Sequence, residues 1–92
     1  MDIEIIRNET ANRFEAEIDG FLAVIEYKID GQTMALVHTG VPEELGGRGL
    51  GSKLVKFALD FARANELKVD PVCPFVKSYL ERHPDYADLV AG

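Results

Sequence analysis

Four glycines within six positions, Gly46, Gly47, Gly49 and Gly51, follow an apolar run and open directly into a helical pattern beginning near Arg48. Glycine leaves no side chain between the backbone and an approaching group, and the first N–H groups of a helix have no intrahelical acceptor. Together these features make a cradle for an anion, usually a phosphate. A simple strand-to-helix bend would need fewer glycines, so the cradle is the preferred reading. Arg48, Lys53 and Lys56 follow the turn and give it a locally positive sign.

Two further side chains could do chemistry. Cys73 precedes Pro74, a residue suited to the first helical position, and a helix start favours a thiolate. A buried structural thiol is an equal alternative on position alone. His38 falls on the strand face of Met34 and Leu36 if the alternation is regular, which suits a core histidine. At the strand's end it would also suit a general base. Glu43 and Glu44 read as solvated loop carboxylates. His83 reads as a helix-end residue without a catalytic part. No metal site is expected.

The elements that must position these residues are legible in order. Ile3 to Arg7 is a short β-branched strand, and Arg13 to Asp19 alternates apolar and acidic residues as a half-exposed strand. Asp19-Gly20 and Asp30-Gly31 are hairpin signals, with strands from Phe21 to Ile29 and from Gln32 to Thr39. Pro42 stops the last of these. Leu50, Leu54, Ala58, Phe61 and Ala62 recur at helical spacing, predicting an amphipathic helix that ends near Asn65. Leu67 to Val72 is a short strand, expected parallel to the Gln32–Thr39 strand because a helix joins the two. Phe75 to Arg82 is a second helix, and Tyr86 to Val90 a tail that packs back.

Ninety-two residues of 47% hydrophobic composition allow one domain with a modest core. The net charge of −6 argues against nucleic acid or an anionic membrane surface as partner. One cysteine excludes an internal disulfide, and Met1-Asp2-Ile3-Glu4 is already strand-like and not a leader, so the cytoplasm is expected; a monomer is expected as well. Known phosphate loops fit poorly. Gly46 to Gly51 has the Walker spacing, but Ser52-Lys53 stands in reverse order. The dinucleotide fingerprint lacks its third glycine and follows a meander instead of a parallel sheet.

The whole pattern resembles the GNAT superfamily of acyl-CoA-dependent N-acetyltransferases, and within it a branch of small stand-alone domains. The matching residues are His38-Thr39, Val41-Pro42, Gly47-Arg48-Gly49-Leu50-Gly51, Cys73-Pro74-Phe75 and the ending Tyr79-Leu80-Glu81-Arg82-His83-Pro84. They span nearly the whole chain. Gly46 stands where the superfamily's wider motif has Gln or Arg.

The resemblance implies a single α/β domain with a mixed, mainly antiparallel sheet and two helices. It implies binding of acetyl-CoA or coenzyme A and transfer of the acetyl group to an amine acceptor, either a small molecule or a protein lysine. The turn from Gly46 through Gly47, Arg48, Gly49, Leu50 and Gly51 to Ser52 would hold the pyrophosphate. The strand edge at Thr39 and Val41 would line the pantetheine arm. His38 and Cys73 would flank the thioester, either with His38 as base for direct attack or with Cys73 taking the acetyl group first. Typical members place a tyrosine seven residues after an asparagine; counting from Cys73, that position is Leu80, and Tyr79 falls one place early. Tyr79 is therefore read as core packing. A non-catalytic module that holds coenzyme A, acyl-CoA or another protein is the alternative function.

Overall fold

The computed structural model describes residues 3–91; the strand character expected at Met1 and Asp2 lies outside them. Five strands form one sheet in chain order: β1 (Ile6–Asn8), β2 (Arg13–Ile18), β3 (Phe21–Asp30), β4 (Thr33–Gly40) and β5 (Lys68–Pro71). The first four pair antiparallel, and β5 lies parallel to β4. The crossover between those parallel strands is α1 (Leu50–Ala64), and α2 (Pro74–Arg82) follows β5. Short 3-10 helices at Glu43–Leu45 and Pro84–Leu89 complete the chain; the second of these is the expected tail.

The hairpins follow their turn chemistry, with one shift. Asp19 and Gly20 both take positive φ, 53° and 81°, as a type I′ turn requires. At the second hairpin Asp30 pairs with Thr33, so the turn residues are Gly31 and Gln32, not Asp30 and Gly31. Gly31, at φ 62°, takes the first central position, where a type II′ turn places glycine.

One sheet face carries the core and is covered by both helices. Phe14, Ala23, Ile25, Tyr27, Met34 and Leu36 pack there beneath Leu54, Val55, Leu59, Val76 and Tyr79. Phe14 sits 5.3 Å from Phe57 and 5.2 Å from Phe61, ring centre to ring centre, which locks α1 onto the β2–β3 hairpin. Among the described residues no helix lies over the other face, and Glu17, Leu22 and Lys28 are exposed there.

Two local features open the sheet on the β4 side. In β4 the alternation breaks: Tyr27 pairs with Leu36, but Glu26 pairs with His38, leaving Val37 as an extra bulged residue. In β5, Pro71 has no N–H to extend the ladder, and the Val72 N–H turns back to the Asp70 carbonyl at 3.0 Å. The last bond between the two segments runs from the Cys73 N–H to the Leu36 carbonyl, 2.9 Å. Beyond it, β4 continues to Gly40 with no β5 residue beside it.

Candidate functional site

The glycine turn leads into α1 as the sequence suggests, though the helix begins at Leu50 and not near Arg48. Gly49 is its N-cap in the left-handed region, φ 70°, and no side chain caps the first turn. The first intrahelical bond runs from the Lys53 N–H to the Gly49 carbonyl at 3.1 Å, so the N–H groups of Leu50, Gly51 and Ser52 have no acceptor within the helix. The Gly46 N–H is already spent on the Glu43 carbonyl at 2.9 Å. Gly46 therefore shapes the cradle and does not donate to it.

These residues line a cleft of about 380 Å³ whose other wall includes Val41, Phe75 and Arg82. A Cβ built on Gly47 or Gly49 would meet nothing within 4 Å, so the space over the turn is open. Gly51 is different. A Cβ there would fall 2.9 Å from Cζ of Phe75, so its smallness lets the α2 start approach α1. Bare backbone, open space and a row of uncapped N–H groups fit the diphosphate of an acyl-CoA.

Arg48 departs from expectation. Its guanidinium lies 3.2 Å from the Asp19 carboxylate and lines a separate groove with Ile18 and Lys53. Lys56 is likewise paired, with Asp60 at 2.9 Å. None of the three cations after the turn lines the cleft. Arg82, read from sequence as part of the second helix and of the family-like ending but not as a binding residue, does. The signal was available: Phe75 and Arg82 stand seven residues apart on α2, a spacing that puts both on one face.

The bulge at Val37 also overturns the expected face of His38. Thr39 pairs with Ile25 on the core face, while His38 pairs with Glu26 on the helix-free face. Met34 and Leu36 are buried, but His38 is exposed. Its ring lies over Gly40, where an added Cβ would approach Nε2 to 3.3 Å. His38 is thus no core histidine.

Cys73 caps α2 and is buried. Its Sγ lies 3.6 Å from Oγ1 of Thr39. Burial alone would push the thiol's pKa up. The hydrogen bond with Thr39 and the backbone N–H groups of Phe75, Val76 and Thr39 outweigh it, so the pKa sits below its ordinary value. Thr39 and Cys73 therefore meet on one side of β4, and the His38 side chain leaves from the other. Tyr79 is buried, stacked on His83 at 4.0 Å, and burial raises its phenol pKa. It packs in the core, as the one-residue offset implies.

A family model described as GCN5-related N-acetyl-transferase matches residues 13–89. The chain belongs to this N-acetyltransferase family. The acetyltransferase domain is 31% identical over 85 residues to Protein NATD1 of Xenopus tropicalis, covering 89% of this chain and 78% of that protein. Protein NATD1 of Homo sapiens is also 31% identical, with 89% and 75% covered. Among solved structures, the NMR structure of a GCN5-like protein from Staphylococcus aureus superposes with a TM-score of 0.76 at 40% identity. That match covers 97% of this chain and 88% of the other. The fold is therefore GNAT-like, as the resemblance implies, and acetyltransferases of this family generally use acetyl-CoA.

Proposed function

We propose that this domain binds acetyl-CoA in the cleft at the α1 start and transfers the acetyl group to a primary amine. The observation that carries the reading is the edge of β4 beyond Leu36, which no β5 residue pairs and which leads from Cys73 and Thr39 toward the glycine turn. An extended, amide-bearing arm can pair with such an edge as an added strand. The Leu50, Gly51 and Ser52 N–H groups would hold the diphosphate, and Val41 and Phe75 would wall its apolar side. When bound, acetyl-CoA supplies the acetyl group as an activated thioester.

The acceptor reaches the site from the helix-free face, because the other face is packed with core. On that face the His38 imidazole takes a proton from the ammonium and leaves the free amine. A backbone N–H at the end of β4 supports the developing oxyanion. Cys73 is a positioning group in this scheme. Its hydrogen-bond partner is Thr39, and the strand turns His38 away, which favours direct attack by the amine over a thiol activated by His38.

The position of Tyr79 favours a second reading, binding without turnover. The phenol that would protonate a departing thiolate is buried against His83. Calorimetry with acetyl-CoA, coenzyme A and ATP, followed by an acetyl-transfer assay on lysine and polyamine acceptors, separates the two readings. Tight coenzyme A binding with transfer supports the enzyme, and binding without transfer to any acceptor supports the module. ATP binding as tightly as coenzyme A would sink both.

A further inference from the structure

The glycine turn carries a charge problem. The chain has a net charge of −6, and among the described residues the charged side chains lining the cleft are Glu43 and Arg82. The cations that follow the turn in sequence are directed elsewhere, Arg48 to Asp19 and Lys56 to Asp60, with Lys53 beside Arg48 in the neighbouring groove. With Glu43 as its only charge, the cleft would repel a phosphate. Amide dipoles at one helix start would then work against both a local carboxylate and the overall field.

We infer that Arg82 is a diphosphate ligand of the acyl-CoA donor, closing the cradle from α2 opposite the α1 N–H groups. This rests on the acyl-CoA reading and names the side chain that makes the cleft attractive to an anion. The α2 face that sets the Phe75 ring against Gly51 also carries Arg82 two turns later. Nε of Arg82 donates to the Ser78 carbonyl at 3.4 Å, a long bond inside its own helix. The terminal nitrogens keep the planar fork that binds paired phosphate oxygens. A lysine at this place would supply charge without the fork.

Calorimetry on Arg82→Ala, Arg82→Lys and Arg48→Ala, with coenzyme A and 3′-dephospho-coenzyme A at low and high salt, tests the assignment. Arg82→Ala should weaken both ligands about tenfold and flatten the salt dependence, because a charge-assisted fork is lost. Arg82→Lys should fall between, and Arg48→Ala should stay near wild type. Undiminished binding by Arg82→Ala would overturn the proposal. So would a loss seen with coenzyme A and absent with the dephospho form, which would move Arg82 to the 3′-phosphate. Amide spectra report whether each variant is folded, and Arg82→Gln replaces Arg82→Ala if the latter is not. A merely structural arginine would leave the salt dependence unchanged. A wild type that does not bind coenzyme A would instead remove the donor reading itself, and this assignment with it.

Discussion

Gly51 and Phe75 touch so closely that a methyl group on Gly51 would lie 2.9 Å from the tip of the aromatic ring. That contact joins the first turn of α1 to the first turn of α2 and fixes one wall of the cleft. Gly51→Ala must displace the ring. Phe75 is 40% exposed, so it can swing outward, and the expected stability loss is about 1 kcal/mol, at the low end for overpacking. The ring would then intrude on the cleft. Thermal melts should move little while coenzyme A affinity falls sharply; equal losses in both would mean that the contact serves the fold alone.

His38 lies outside the cleft lining, on the helix-free face. His38→Ala should therefore leave coenzyme A affinity unchanged and lower kcat by about a hundredfold, the ordinary lower range for a lost general base. Steady-state kinetics with a calorimetric check separate these effects. A change confined to KM would make His38 an acceptor-binding residue and not the base.

The 3.6 Å contact with Thr39 favours the thiolate form of Cys73. The folded-state pKa lies below the ordinary thiol value, so folding favours the thiolate. The resulting stability appears as pH rises from the folded pKa toward the unfolded one, and it is lost as pH falls through the folded pKa. Thr39→Val should raise the thiol pKa and slow its alkylation near pH 8 by about fivefold, the worth of one hydrogen bond near 1 kcal/mol. Acetyl transfer that survives in Cys73→Ala would confirm a positioning role; an acetyl-cysteine adduct formed at the turnover rate would restore the covalent route.

Tyr86 ties the final 3-10 helix to α1, its hydroxyl donating to the Asp60 carboxylate at 2.7 Å. Burial would raise the Asp60 pKa, but the hydrogen bonds from Lys56 and Tyr86 bring it below the usual carboxylate range. This contribution is complete above the unfolded carboxylate pKa and is lost as pH falls through the lower folded value. Tyr86→Phe should cost about 1 kcal/mol at neutral pH and nearly nothing once Asp60 is protonated. Denaturant melts across the acid range check this. A cost that does not depend on pH would assign the effect to ring packing.

The sequence by itself determined the glycine turn, both α-helices and the strands from β2 to β5, because each is written in local chemistry; the first strand, expected from Ile3 to Arg7, lies at Ile6–Asn8. Asp19-Gly20 specifies its hairpin, the spacing from Leu50 to Ala62 specifies α1, and Cys73-Pro74 marks the start of α2. The parallel placement of β5 also followed from local order, since a helix between two strands leaves few alternatives. Tertiary structure decided which side chains share a site. A single bulged residue, Val37, carries no sequence mark, yet it moves His38 from the core face to the open one. Asp19 draws Arg48 away across 29 positions of chain, a partnership that no local window contains. Arg82 lines the cleft from the same helix whose Phe75 packs against Gly51, a meeting of two helices that no local window contains. Backbone conformation is set by neighbours in the chain, but the charge of a cleft depends on side chains that meet only after packing.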